Sequence, residues 1–270
     1  MQNAPMEPGA GPPAQAPTPP AAPAPGAPPG AGGGPGVFEA LYKLFVRSLA
    51  SRGRIVAMVL LGLVGLFVGF VIGATADSQL SAWVRFVNSF GLSLLVPVVS
   101  LLFASAAFSN PIEDGTLVYL WLRPIERSRL VLAAYAASLT IIAPLVVVPL
   151  ALGTIASRAG TDALAGTVAA ALVGAVGYSA LFLGLGLLTR RGLPWGLAYI
   201  LIWEGFVASA SSGASRLALR AYTRSILSEA TDVTLRLANV SLAAAMIVPL
   251  VVAMVALALT SARLQRADVP

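Results

Sequence analysis

The sequence predicts an all-α membrane protein with six transmembrane helices, and three observations support this fold class. Hydrophobic residues make up 57% of the 270 residues and the mean hydropathy is +0.86, which leaves too little polar surface to cover a soluble globule. Six largely apolar stretches approach the roughly 20 residues that a helix needs to cross a bilayer. The 17 Lys and Arg residues lie at the ends of these stretches. That spacing orients a membrane protein and argues against a nucleic-acid partner.

Residues 1–36 are the first predicted region, a disordered Pro/Ala/Gly-rich tail. They contain 12 of the 20 prolines, and Glu7 is their one charged side chain. Such a composition buries too little apolar surface to offset the entropy of ordering, and it lacks the basic start and apolar core of a signal peptide. We expect an inert tether, and a proline-recognising partner is the alternative.

Residues 37–54, "VFEALYKLFVRSLASRGR", predict an amphipathic helix at the membrane interface. Apolar residues at helical spacing form one face, namely Phe38, Leu41, Leu44, Phe45 and Leu49. The cations lie mostly on the other side, namely Lys43, Arg47, Arg52 and Arg54. Such a helix rests its apolar face in the acyl boundary while its cations meet anionic headgroups of membrane lipids. A simple extension of the first span is the alternative.

Residues 55–266 form the third predicted region, and they hold the six predicted spans. They lie at residues 55–74, 88–108, 130–154, 164–188, 193–210 and 241–262. Six crossings put both termini on one side. If that side is the cytoplasm, it carries eleven Lys and Arg residues against six outside, and four of those six lie in one long loop. The charges therefore predict cytoplasmic termini.

Glycines in the first span predict close helix packing. Gly65, Gly69 and Gly73 recur every four residues, and Gly62 lies one turn earlier. This stripe lets a second helix approach closely, either from the same chain or from another subunit.

Glu204, in the fifth span, is the candidate pathway residue. It lies 11 residues beyond Leu193, which is about 16 Å into the bilayer at roughly 1.5 Å per residue. An ionisable group there costs at least ~2.5–3.5 kcal/mol, so it should face the bundle interior, be protonated or have a partner. The depth suits a pathway or gate residue and a structural carboxyl equally well.

The loop at residues 211–240 carries a basic stripe. Arg216, Arg220 and Arg224 recur every four residues. The stripe suits a short helix on the outer leaflet or a partial re-entrant element, and a solvated face is the default expectation.

The missing residue types exclude several classes of enzyme. Without Cys or His there is no thiolate or His metal site, no Cys–His dyad and no His-dependent serine protease. The one lysine, Lys43, precedes the first span, and no Gly-x-x-x-x-Gly-Lys-Ser/Thr pattern occurs, so the chain cannot hydrolyse ATP by that route. Asp77, Asp162 and Glu229 are expected in loops, which leaves an intramembrane enzyme built on Glu204 without a second carboxylate at its depth.

Residues 110–129, "NPIEDGTLVYLWLRPIERSR", concentrate charge in a chain that is only 10% charged. We expect Pro111 to end span two and start a short helix, whose positive end suits Glu113 and Asp114. Gly115 permits a sharp turn. The apolar and aromatic "TLVYLWL" that follows fits either a partner's groove or the lipid headgroups.

The stretch "FSNPIEDGTLVYLWLRPIERSRLVLAAYAAS" resembles the cytoplasmic loop of type 2 ABC exporter permeases, with an acidic-x-Gly-Thr core, a hydrophobic stretch, a Pro and a basic residue. The resemblance extends over residues 37–266, and "LAYILIWEGFVASASSGASRLALRAYTRSILSE" is similar to a bacterial subset of these permeases. In that family the loop is the coupling helix that docks into the ATP-binding subunit. The resemblance implies this role for Glu113, Asp114, Gly115, Thr116, Leu117, Leu120, Arg123 and Pro124.

The resemblance implies the membrane subunit of an ABC exporter in a bacterial inner membrane. Such a subunit pairs with a second copy of itself or a related permease and with a separate ATP-binding subunit. ATP and Mg²⁺ then bind at that partner, and this chain is expected to bind no cofactor and to catalyse no reaction. An intramembrane enzyme using Glu204 and a non-transporting scaffold bound to an ABC-type ATPase are the alternatives.

Overall fold

The computed structural model describes residues 35–113, 126–189, 192–207, 212–236 and 240–266, and all regular structure within them is helical. The helices are α1 (Pro35–Leu49), α2 (Arg52–Thr75), α3 (Gln79–Phe86), α4 (Val96–Ala104), α5 (Ala106–Glu113), α6 (Arg127–Ser157), α7 (Thr161–Leu188), α8 (Gly192–Ala198), α9 (Ser212–Ser215), α10 (Leu219–Thr231) and α11 (Leu242–Arg266). Two π-helical segments continue the chain, π1 (Val87–Leu95) between α3 and α4 and π2 (Tyr199–Val207) after α8.

Five helices among the described residues are long and apolar enough to cross a membrane. They are Arg52–Thr75, Gln79–Pro111, Arg127–Ser157, Thr161–Leu188 and Leu242–Arg266. The predicted span at residues 193–210 corresponds to α8 and π2, which have 7 and 9 residues. Residues 208–211 lie outside the described part, so the count of six spans stays a prediction.

The helix from Gln79 to Pro111 lies at the centre of the bundle. Of the residues in its most apolar stretch 72% are buried, against 17% for both α2 and α11. Its α4 part packs on both α6 and α7. The span ends at Pro111, as expected. We also expected Pro111 to start a new short helix, and this was wrong, because it lies inside α5, which continues to Glu113. The proline lies in the last turn and removes only the hydrogen bond to the Ala107 carbonyl, so the helix tolerates it.

The glycine stripe of α2 packs on α6 of the same chain. A Cβ added at Gly69 would lie 2.8 Å from the Cα of Gly153, and one at Gly62 would lie 2.8 Å from the Pro149 ring. Gly73 lies against the backbone of Ala156. The two helices approach so closely because α2 carries no side chains at these positions. The stripe therefore serves packing within the chain.

The N-terminal helix α1 turns one side to the protein. Leu41, Phe45 and Leu49 are buried, mainly against α6, whereas Phe38 and Leu44 of the predicted apolar face are 38% and 50% exposed. The helix ends at Leu49, and α2 begins at Arg52. Its position at a membrane interface stays a prediction, as do the boundaries of the tail and of the six-span domain.

Two helical segments, α8 with π2 and then α10, lie one after the other along α7. Gly192, at the start of α8, lies near Gly186, whereas Leu219, at the start of α10, lies against Gly177. Ala230, near the end of α10, lies against Gly166. Together α8, π2 and α10 therefore follow α7 from residue 186 back to residue 166, a rise of about 30 Å.

Candidate functional site

Glu204 lies in π2 and is only 1% exposed. Its two carboxyl oxygens accept hydrogen bonds from different phenols. The hydroxyl of Tyr178, on α7, donates to Oε2, and that of Tyr199 donates to Oε1 at 3.4 Å. The carboxyl is thus buried and partnered, which satisfies the physical requirement for an ionisable group at this depth.

The π-helical geometry of π2 brings Tyr199 and Glu204 together. The two residues are five positions apart, and in an α-helix, at about 100° per residue, they would point roughly 140° away from each other. A π-helix closes its turn between residues i and i+5, so the first and sixth residues share a face. The π-helical backbone therefore provides one of the two phenol hydrogen bonds that the carboxyl accepts, the one from Tyr199.

Arg220 joins α10 to π2. Its Nη2 atom donates a 2.5 Å hydrogen bond to the backbone carbonyl of Glu204. Because Arg220 is in the first turn of α10, this bond fixes the start of that helix beside Glu204. A hydrogen bond from a charged donor contributes roughly 1.5–3 kcal/mol.

Arg224 lies one turn further along α10 and is 9% exposed. Its Nη1 atom donates to the carbonyl of Arg236 at 2.8 Å, and its Nε atom is buried without a hydrogen-bond partner. Arg224 also lies within electrostatic range of Glu204 and Tyr178. We expected the arginines of the basic stripe to be solvated. This is correct for Arg216, which is exposed, and wrong for Arg224, which is buried.

We call these five residues the Glu204 cluster: Tyr178, Tyr199, Glu204, Arg220 and Arg224. Aromatic contacts hold its phenols in place. Phe182 stacks on Tyr178 with ring centroids 5.9 Å apart and meets Tyr199 edge to face at 6.0 Å. Both arrangements are favoured by the ring quadrupoles, so the hydroxyl groups are positioned by packing as well as by hydrogen bonds.

Glycines of α7 let α10 pack closely beside the cluster. An ideal Cβ at Gly174 would lie 3.1 Å from Cγ2 of Thr223, and one at Gly177 would lie 3.1 Å from Cδ1 of Leu219. Residues 219–227 are buried except for two partly buried positions. The short helix is therefore part of the protein interior rather than a surface loop.

The surroundings of Glu204 suit a structural role, in which its carboxyl holds neighbouring helices together, better than catalysis. Both oxygens of Glu204 accept phenol hydrogen bonds and the side chain is only 1% exposed, so the carboxyl is held inside the protein rather than presented to a substrate. Glu229 lies in α10 and Asp162 in the first turn of α7, not in loops, and both side chains are exposed. No group of three acidic, His or Cys residues within the described ranges forms a potential metal site.

Of the eight predicted coupling residues, only Glu113, the last residue of α5, belongs to the described residues. The other seven lie within residues 114–125, outside them. The structure describes no side chain for any of the eight. Sequence reasoning found Glu204 and missed both phenols. Tyr199 lies five residues before Glu204, a spacing that brings two side chains together only in a π-helix, and the sequence does not predict one. Nothing in the sequence pairs Tyr178 with Glu204.

Comparison with known families gives one match. Residues 50–211, more than half of the chain, match the family described as ABC-2 family transporter protein. The chain belongs to this family. Its members are membrane components of transporters and are not themselves catalytic, so this multi-pass protein is an ABC transporter permease. Neither the curated proteins nor the solved structures contain a match. The matched region of the permease includes Tyr178, Tyr199 and Glu204 and ends before α10.

Proposed function

We propose that the permease is the membrane subunit of an ABC exporter, driven by a separate ATP-binding subunit that holds ATP and Mg²⁺. The observation that carries the proposal is the family match over residues 50–211. The resemblance of residues 110–129 to the coupling helix of exporter permeases supports the proposed export direction and the proposed ATP-binding partner. The functional unit contains two membrane subunits. One is this chain, and the other is a second copy of it or a related permease.

A broken fifth crossing supports six spans. The segments α8–π2 and α10 both run along α7 from residue 186 towards residue 166. Together they cover about 30 Å, the thickness of a bilayer's hydrocarbon core. In many transporters such discontinuous helices mark the functional site near the midplane. Six crossings would place both termini on one side, and the arginine distribution supports the cytoplasm as that side. The resemblance to bacterial permeases supports a bacterial inner membrane.

Force would enter the permease through the predicted coupling loop, Asn110 to Arg129. In the chain this stretch joins α5 to α6, and α5 continues the central helix that packs on α6 and α7. Closure of two ATP-binding subunits would push this loop, tilt the central helix and α6, and open a path between the two membrane subunits. Glu204 contributes by holding π2, α7 and α10 together in the closed state, so it acts as a gate residue.

The first test measures coupling. Purified permease is assembled with its ATP-binding subunit in nanodiscs, and stimulated ATP hydrolysis is recorded. Glu113→Arg and Gly115→Pro should abolish the stimulation while insertion and dimerisation persist. Glu39→Arg is the matched control, because Glu39 is an exposed carboxylate on α1. Wild-type hydrolysis by both loop variants would contradict the coupling role.

A second test measures topology. The chain contains no Cys, so single cysteines at exposed or partly exposed positions report their side directly. Cysteines at Ser78 and Thr161 should react with an impermeant maleimide added to intact cells, and cysteines at Ser128 and Gln265 should react only after lysis. Labelling at Gln265 from outside would contradict the six-span arrangement, because it would put the end of α11 on the wrong side.

A further inference from the structure

An open groove runs along α7 and α11 near the C-terminal ends of both helices. Its volume is about 630 Å³, and apolar side chains line most of it. Leu181, Leu185 and Leu188 line it from α7, and Val252, Val255 and Leu259 line it from α11. The groove lies beside the seam at which the two helices touch, where Gly184 faces Thr260. It is separate from the Glu204 cluster.

Two arginines stand at one end of the groove. Arg263 and Arg266 belong to its lining and are exposed. They follow Leu259 at spacings of four and three residues, which puts all three on one face of α11. Neither guanidinium forms an ion pair with any of the described residues. Arg127 is close by in the fold and differs, since its guanidinium donates to the carbonyl of Leu264.

The dimensions of the groove match one leaflet of a bilayer. Its lining on α11 extends from Val251 to Arg266, a rise of about 22 Å. One leaflet including its headgroup region measures about 20–22 Å. An acyl chain in the apolar part therefore places its headgroup at the level of the two arginines.

We propose that this groove binds one anionic phospholipid, with an acyl chain between α7 and α11 and the phosphate on Arg263 and Arg266. The charge favours this occupant, because an anionic headgroup supplies the ion-pair partner that neither guanidinium has among the described residues. A second copy of the chain is disfavoured. In a two-fold symmetric contact along this groove, Arg263 and Arg266 of one copy would face the same two arginines of the other, without any described carboxylate between them.

The test compares lipid retention by native mass spectrometry. Delipidated permease in detergent is mixed with equal amounts of phosphatidylglycerol and phosphatidylcholine, and the bound fraction of each lipid is measured. Wild type should retain phosphatidylglycerol preferentially. The double variant Arg263→Gln/Arg266→Gln should bind it about tenfold more weakly. The matched control Arg85→Gln/Arg216→Gln removes the same charge from exposed positions elsewhere and should behave like wild type.

A groove-filling variant tests the acyl part. Ala256→Trp keeps both arginines and fills the groove, so it should also lose phosphatidylglycerol. Equal retention of the two lipids by wild type, or equal loss in the Arg85→Gln/Arg216→Gln control, would overturn the proposal. So would undiminished lipid binding by Ala256→Trp, or a loss of dimers rather than of lipid in Arg263→Gln/Arg266→Gln.

Discussion

The two parts of α7 meet their neighbours in opposite ways. The N-terminal part, up to Gly177, is covered by α10 along a row of glycines. The C-terminal part, from Leu181 to Leu188, borders the open apolar groove with α11. A pair of arginines accompanies each part, and the pairs also differ. Arg220 and Arg224 are partly or wholly buried with backbone carbonyls as partners, whereas Arg263 and Arg266 are exposed.

This difference shows what decides whether an arginine enters an apolar bundle. Burying a guanidinium is costly unless hydrogen-bond acceptors replace its water. The carbonyls of Glu204 and Arg236 provide such acceptors next to α10. The described residues offer none to the pair on α11, which therefore stays at the surface. The covered part of α7 should consequently be stiff and the open part available to lipid.

The largest expected effect is a difference in the free energy of unfolding between two double variants, in each of which one arginine pair is replaced by methionine. Arg220→Met/Arg224→Met should destabilise the protein by about 3 kcal/mol, because two charge-assisted hydrogen bonds are lost. Arg263→Met/Arg266→Met should change stability by about 0.5 kcal/mol at most. Denaturant unfolding in detergent measures both. Equal destabilisation by the two double variants would mean that the two parts of α7 do not differ as described.

A smaller effect is expected from filling the glycine contacts. A Cβ at Gly166 would lie 2.7 Å from the Cβ of Ala230, so Gly166→Ala should push α10 away and cost about 2 kcal/mol. A Cβ at Gly184 would meet only the Thr260 hydroxyl, at 2.8 Å, and that group can turn away by giving up its hydrogen bond to the Ala256 carbonyl. Gly184→Ala should therefore cost about 1 kcal/mol. Thermal unfolding of both variants would show the order, and a reversed order would refute the close docking of α10.

A third prediction isolates the phenol on α7. Tyr178→Phe removes a donor to the buried carboxyl of Glu204 and should cost about 1–2 kcal/mol. Tyr135→Phe is the matched control, because that hydroxyl donates at 3.0 Å to the Val176 carbonyl in a partly buried setting. It should cost about 0.5–1 kcal/mol. If Tyr178→Phe is the milder of the two in thermal unfolding, the phenol does not hold Glu204.

The smallest effect on stability is expected for Glu204→Gln. The amide keeps the size and one acceptor oxygen, and a phenol can accept as well as donate, so stability should change by less than about 1 kcal/mol. Ionisation is removed, so a gate residue should show altered basal ATP hydrolysis of the assembled complex and reduced export. Wild-type hydrolysis and export across a pH range would leave Glu204 a packing role alone.

The sequence by itself determined the class of fold and the position of its long helices. Apolar runs near 20 residues and flanking arginines depend on local composition, and five of the six predicted spans reappear as long helices. The close packing of the Gly69 region was also readable, because a four-residue glycine repeat is a local pattern, although its partner on α6 was not. Glu204 could be singled out because its depth in the predicted span can be counted along the sequence, and a carboxyl at that depth needs a partner or an interior position.

Only the tertiary structure decided what surrounds Glu204. Tyr178 is 26 positions away in the chain, and Arg220 reaches Glu204 because α10 turns back along α7. A helical periodicity of 3.6 residues cannot reveal the π-helical turn that joins Tyr199 to Glu204. The same holds for Arg224 and Arg263, which look alike as charges beside apolar residues. Their burial depends on whether carbonyl groups from distant segments lie within reach, and such contacts exist only after the chain has folded.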